Sequence, residues 1–266
     1  MPGGQGQKSA EPACLSSMEY PGRGIIEGMA PDGRLFVAYI LTGRSPPSKA
    51  RRLELRAEDG CVSIETVPTD EAVLRMGNPK LLRYPAIIAN ARKIAISNGA
   101  QTTPVMRAQL PDALKGPVII DGIDVSCYEP DEPNFTPRIT GEVRPSQLVS
   151  IFHKIRKEEG SSNPISETYR YELKPGMAGM MTTYAGENKS PLPPFLGPPM
   201  EMAMALNGSQ ELCKHLFSML NGAYRVSTAV LIWAKTEGGV MADVSILNAS
   251  DNTDEPQRSE VLLRYA

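Results

Sequence analysis

GIIEGMAPDGRLFVAYILTG, residues 24–43, places two runs rich in branched and aromatic residues on either side of Pro31, Asp32 and Gly33. Proline presets a turn, and aspartate and glycine tolerate its tight backbone, so the stretch reads as two strands joined by a hairpin. The same grammar recurs outward from it. LELRAEDGCVSIETVP (53–68) repeats the pattern with Glu58-Asp59-Gly60 at its tip, and AIIANARKIAISNG (86–99) is a third hairpin. SQLVSIFHKI (146–155) alternates apolar and polar positions, with His153 between Phe152 and Ile155. ETYRYELKPGMAGMMTTYA (167–185) predicts two further strands across Pro175-Gly176, while YRVSTAVLIWAK (224–235) and VMADVSILN (240–248) predict the last ones.

Helical signals are few and late. TTPVMRAQLPDALK (102–115) has helical spacing but is interrupted by Pro111. In SQELCKHLFSMLNG (209–222), Leu212, Leu216, Phe217 and Leu220 share one face, Ser209 is placed to cap the start and Gly222 to close the end. Between the two halves lies a long irregular stretch, GENKSPLPPFLGPPM (186–200). Many strands with few helices predict an α+β layered fold rather than a βαβ chain. The expected organisation is a flexible leader over 1–18, one domain over 19–250 and a loose polar tail over 251–266.

The chain has 266 residues, enough to bury a sizeable core, and a net charge of −2, which argues against a general nucleic-acid or membrane surface. No apolar run approaches the roughly 18 residues of a membrane span. Four scattered cysteines (14, 61, 127 and 213) without a CxxC pair read as reduced thiols of a cytoplasmic protein, Cys127 as a buried thiol at a strand end. Two histidines and no Cys/His cluster make a zinc site improbable, and no metal is expected. There is no GxGxxG, P-loop or GxSxG motif. Cys14 would be an N-terminal nucleophile only if the leader were cleaved before it.

Four clusters carry more polar chemistry than folding demands. TGRSPPSKARR (42–52) brings Arg44, Ser45, Lys49 and Arg51 together on a proline-stiffened turn suited to a phosphate. GNPKLLRY (77–84) carries Asn78 and Tyr84, and SNGAQT (97–102) carries Asn98, Gln101 and Thr102. YEPDEPNFTPRITG (128–141) sets Glu129, Asp131, Asn134 and Arg138 on a loop stiffened by three prolines. Each alone also reads blandly: a solvated basic turn, a capped turn with a packed tyrosine, an Asn-Gly turn, an acidic loop.

Taken in order, the four clusters resemble the archaeal-type IMP cyclohydrolase family. YPGRGIIEGMAPDGRLFVAYILTGRSPP (20–47) is similar to the family's Tyr-x-Gly-Arg opening and its Ala-Tyr strand ending in Arg-Ser-x-Pro, which brings in Arg23 and Tyr39. NPKLLRY, ISNGAQT and YEPDEPNFTPRI are similar to the blocks that follow, the last with Phe135 as an extra residue. The likeness is good over 20 to about 140 and faint beyond, where TTYAGE and YRVSTAVLIWA fit loosely.

The resemblance implies a four-layer αββα sandwich of the N-terminal-nucleophile-hydrolase type, used without an autocatalytic nucleophile. It implies closure of the purine ring of 5-formamidoimidazole-4-carboxamide ribonucleotide (FAICAR) to IMP, with no cofactor, by a protein that binds purine nucleotides (FAICAR, IMP, AICAR). With so little apolar helix, such a layered fold leaves sheet edges or helices to cover, so a homo-oligomer is expected. Tyr84, Glu129 and Arg44 are the implied catalytic residues. Arg23, Tyr39, Ser45, Lys49, Arg51, Asn78, Asn98, Gln101, Thr102, Asp131, Asn134 and Arg138 are the implied substrate-binding ones. Whether Lys49 or Arg51 follows the Arg-Ser-x-Pro element depends on where a gap falls, and Tyr84, Glu129 and Asp131 all remain open as the general base. A non-catalytic nucleotide-binding protein on the same scaffold, or an amide hydrolase with a processed N-terminal nucleophile, are the alternatives.

Overall fold

The computed structural model describes residues 15–58 and 60–265. The hairpin grammar produces β1 (Arg23–Met29) with β2 (Leu35–Thr42), β3 (Arg51–Glu58) with β4 (Cys61–Pro68), and β5 (Pro85–Ala89) with β6 (Ile94–Ser97). A two-stranded ribbon, β7 (Ile119–Ile120) and β8 (Ile123–Asp124), precedes β9 (Arg138–Arg144), β10 (Val149–Lys157) and β11 (Pro164–Glu172). Then come β12 (Met177–Thr182), β13 (Met200–Ala203), β14 (Arg225–Thr236), β15 (Gly239–Asn248) and β16 (Gln257–Leu263). The helices are short: α1 (Pro46–Lys49), α2 (Glu71–Leu74), α3 (Pro79–Leu82), α4 (Thr102–Arg107) and α5 (Ser209–Met219).

The strands form two seven-stranded antiparallel sheets, ordered β13-β12-β1-β2-β14-β15-β16 and β11-β10-β9-β6-β5-β4-β3. Period-two alternation decides which face each side chain covers. Ile25, Val37, Tyr39 and Leu231 of the first sheet meet Ile64, Ile87, Ile96 and Phe152 of the second in one core. Their neighbours Ile26, Phe36, Ile40 and Val230 point outward, where Leu212, Leu216 and Phe217 of α5 cover them. On the far side, Val105, Leu110 and Leu114 cover Ala95, Ile151 and Ile155. With both faces covered, β2 is buried along its whole length, which is why it reads as a continuous apolar run. The fold is thus mixed, sheet-rich and poor in helix. Among the described residues no helix is long and apolar enough to cross a membrane.

The two strands expected across Pro175-Gly176 are β11 and β12; they lie in different sheets, so the turn carries the chain between sheets. Other expectations are corrected. The tail is not loose, because residues 257–263 pair with β15 as the edge strand β16. Its exposed polar side chains belong to an edge strand, not to a segment without structure. Residues 1–14 of the expected leader, with Cys14, lie outside the described residues, but Leu15 and Met18 are buried against the first sheet's outer face. Ser209 does not cap α5; its hydroxyl bonds Asp243 and Ser245, Gly208 is the cap residue, and the helix ends at Met219, before Gly222. Cys127 sits half-buried in the loop before β9 rather than in the core.

Candidate active site

At one end of the sandwich, the start of β1, the turn after β2 and the 129–136 loop surround a cavity of about 480 Å³. Of the residues singled out in the sequence, Arg23, Arg44, Ser45, Arg51, Asn78, Glu129, Asp131 and Asn134 line it. Lys49 is exposed and its ammonium lies 5.9 Å from the Tyr224 ring, whereas Arg51 is buried in the cavity wall. The structure therefore puts Arg51, not Lys49, at the cavity.

The deep wall is charged. Arg23 Nη2 donates to Glu129 Oε1 at 2.8 Å, and Arg138 Nη1 stands 3.8 Å from the same oxygen. Burial pushes the Glu129 carboxyl above its ordinary value, while Arg23 and then Arg138 pull it back. Burial pulls on Arg23 in the opposite sense, but Glu129, Tyr84 and Tyr39 outweigh it and hold the guanidinium well above its usual value. The result is a carboxylate held between two guanidiniums, with more affinity for a proton than an exposed glutamate.

Tyr39 and Tyr84 are buried, and their hydroxyls share a hydrogen bond of 2.8 Å. Neither ring lines the cavity, yet both hydroxyls lie close enough to Arg23 to act on its charge. Burial, reinforced by Tyr84, holds the Tyr39 phenol well above its ordinary pKa.

Asn98, Gln101 and Thr102 are buried and do not line the cavity. Asn98 spends its amide on Pro137 O and Ile139 N, and Gln101 bridges Asn98 Oδ1 and Arg138 Nη1. Thr102 donates to Gly99 O. A Cβ at Gly99 would lie 2.5 Å from Gln101 Oε1 and 2.7 Å from Arg138 Nη1, so a larger residue there would displace both side-chain ends. The cluster acts as a seat for Arg138, which in turn donates to Cys127 O at 2.7 Å and fixes the foot of the carboxylate loop.

The rim is basic and hydroxylated. Arg51 Nε donates to Ser48 O, and its buried Nη1 has no partner. Ser45 and Ser48 cap α1 reciprocally, and Asn78 caps α3 by accepting from Lys80 N. Arg44 donates to Asn188 Oδ1 and Lys189 O and stands over the Tyr20 ring at 5.9 Å. The irregular 186–200 stretch is thus a wall of the site: Leu192 N also donates to Asn134 Oδ1 at 3.1 Å. Buried Lys154 of β10 holds its far end through Phe195 O and Gly197 O.

Sequence reasoning missed Tyr20, Thr136 and Tyr184, all of which line the cavity. Tyr20 stands in the YPGRG opening and Tyr184 in TTYAGE, so each lay within a quoted stretch. Gly22 has φ of 75°, and a Cβ there would lie 2.2 Å from Thr183 Oγ1, which explains the glycine beside Arg23. Among the described residues no group of three or more His, Cys, Asp or Glu is placed to hold a metal ion.

Compared with known proteins, residues 20–237 match the family model described as IMP cyclohydrolase-like protein. That span runs well past residue 140 and takes in the 186–200 wall and β14. No curated protein matches the chain.

Proposed function

The chain belongs to the IMP cyclohydrolase-like family, and from that premise we propose that it closes the purine ring of FAICAR to give IMP and water. The observation that carries this reading is the Arg23–Glu129 pair at the deep wall of a cavity whose rim presents Arg44, Ser45 and Arg51. The two zones suit the two ends of such a ligand, a reacting imidazole and a 5′-phosphate.

Ring closure is intramolecular. The carboxamide nitrogen attacks the formyl carbon and gives up one of its two hydrogens as the carbonyl oxygen becomes a hydroxyl. That hydroxyl then leaves as water with the hydrogen of the formamido nitrogen, which forms the new C=N bond. The protein must hold the two substituents together, take a proton from nitrogen and supply one to oxygen. Glu129, with its proton affinity raised by burial, is assigned the proton from nitrogen. Arg23, whose charge the buried Tyr39–Tyr84 hydroxyl pair supports from behind, is assigned the developing charge on the formyl oxygen, where a donor gains strength from the low local dielectric. Arg51, with an unpartnered buried nitrogen, and Arg44 are assigned the phosphate, Ser45 a supporting hydroxyl. Asp131, Asn134 and Asn78 shape the wall. Asn98, Gln101, Thr102 and Arg138 act through the position of Glu129, and Lys49 adds only surface charge.

The two packed sheets with helices on both outer faces support reading the scaffold as an N-terminal-nucleophile-hydrolase-like αββα sandwich that works without a terminal nucleophile. The test is the ultraviolet change when purified protein is mixed with FAICAR. Turnover above the uncatalysed rate is expected. Folded protein that binds IMP without turning FAICAR over would replace the reading with a nucleotide-binding role.

A further inference from the structure

Tyr184, Thr136 and Asp131 line the cavity in series, and the proposed reaction leaves their linkage unexplained. Thr136 donates its backbone N–H to Asp131 Oδ1 at 2.7 Å and its hydroxyl to Oδ2 at 2.5 Å. The Tyr184 hydroxyl lies 2.5 Å from Thr136 Oγ1. A carboxylate only accepts, and a threonine hydroxyl has a single proton to give. With that proton directed at Asp131, the Tyr184 O–H must donate to Thr136 Oγ1. The chain therefore has a direction: toward the cavity, the Tyr184 oxygen keeps lone pairs and has no spare proton.

Several features keep it so. Burial pushes the Tyr184 phenol above its ordinary pKa, so it does not ionise near neutrality. Its ring is stacked on Tyr20 at 5.9 Å, with 24° between planes, which fixes where the oxygen points. Tyr184 lines the same cavity as the Arg23–Glu129 pair, and the charges of Arg23, Asp131 and Glu129 bear on its hydroxyl.

Resting on the proposed function, the geometry points to Tyr184 as a specificity-determining acceptor for the nitrogen that forms the new ring bond. In the substrate that nitrogen is a carboxamide NH₂; one hydrogen is held by Tyr184 while the other goes to Glu129. In the product it is N1, which in a 6-oxopurine nucleotide still carries its hydrogen. A 6-aminopurine nucleotide presents a lone pair at N1 instead, and two acceptors then face each other in a dry site. The directed hydroxyl chain selects 6-oxopurine against 6-aminopurine nucleotides.

Titration calorimetry of wild type, Tyr184→Phe and Thr136→Val with IMP and with AMP tests this. Wild type binds IMP at least tenfold more tightly than AMP, the scale of one buried hydrogen bond set against an unpaired acceptor. Tyr184→Phe loses about tenfold in IMP affinity and none in AMP affinity, since the acceptor facing N1 of AMP is gone. Thr136→Val frees the Tyr184 proton, so the hydroxyl can donate to N1 of AMP, and the gap narrows through tighter AMP binding. A group that merely anchors the loop weakens both nucleotides alike. An unchanged IMP-to-AMP ratio in both variants overturns the inference. If wild type still turns FAICAR over in that case, the proposed function stands and only the role of Tyr184 falls. A wild type that neither binds IMP nor turns FAICAR over overturns both.

Discussion

Arg23 Nη2 donates to Glu129 Oε1 at 2.8 Å, joining the first residue of β1 to a loop 106 positions further along the chain. Both side chains are buried, so the pair is a structural clamp and a reactive group at once. Breaking one side of a buried ion pair leaves an uncompensated charge and costs about 3–5 kcal/mol. Arg23→Ala should therefore lower the urea-unfolding free energy by about 3 kcal/mol. Glu129→Gln keeps an oxygen for Arg23 and should lose less stability, yet FAICAR turnover should fall about 10²-fold as the proton acceptor disappears. Wild-type turnover in Glu129→Gln would reduce the acidic loop to a turn.

The Tyr39–Tyr84 pair makes a different, non-additive forecast. Either single phenylalanine variant strands the other buried hydroxyl without its partner, at about 1–3 kcal/mol. The double variant leaves two apolar rings and no stranded group, so its stability loss should be smaller than the sum of the singles. Activity should not recover with stability. Tyr84→Phe is expected to lower kcat by about 10²-fold with IMP affinity nearly unchanged, and the double variant should be no faster. A double variant with wild-type kcat would make the pair core packing only.

The basic turn sorts into three separable residues. Arg51 is buried in the wall with an unpartnered nitrogen, Arg44 is already bonded to Asn188 and Lys189, and Lys49 faces outward toward Tyr224. Charge-assisted bonds to a phosphate dianion contribute roughly 2–3 kcal/mol, so Arg51→Ala should raise KM by about 30- to 150-fold. Arg44→Ala should raise it less, because removing that side chain also releases its bonds to the wall. Lys49→Ala should leave KM within about twofold of wild type. Steady-state kinetics on the three variants decides the order, and equal effects would remove the assignment of Arg51.

Hairpins were legible because their turns are local: Asp32-Gly33 announces the bend between β1 and β2 in four residues. The crossing at Pro175-Gly176 was not legible, since a proline-glycine turn looks the same whether the next strand pairs with the last or joins another sheet. Strand β16 was hidden because an edge strand exposed on most positions carries the composition of a loop. At the site, the arginine and carboxylate of the clamp were readable as residue types. Their partnership was not, because it closes across 106 residues. Asn98 and Gln101 look like ligand-reading amides in the sequence. Only the packing shows that their hydrogen bonds are spent on Pro137, Arg138, Ile139 and each other. Tyr184 carried no distinguishing neighbours, and its importance comes from Thr136, on the opposite sheet's loop.

The two sheets also carry titrating groups whose pH windows run in opposite directions. His153 on β10 is buried, bonds Thr168 Oγ1 at 2.9 Å, and burial pushes its pKa from 6.5 down to about 4. The unfolded chain therefore binds a proton below about 6.5 that the folded chain refuses until about 4, so stability is lost as pH falls through that window, by roughly 3 kcal/mol in all. Glu27 on β1 is its counterpart. Both its oxygens are buried without a partner, and burial, then Glu142, hold its carboxyl well above the ordinary 4.5. Here the folded state keeps a proton that the unfolded state releases, so stability is present below 4.5 and lost as pH rises toward the folded value. Urea unfolding across about pH 4 to 8 should separate the two. His153→Gln should gain on wild type as pH falls below 6.5, while Glu27→Gln should gain on wild type as pH rises above 4.5. Parallel pH profiles for wild type and both variants would show that neither group titrates differently in the folded and unfolded chains.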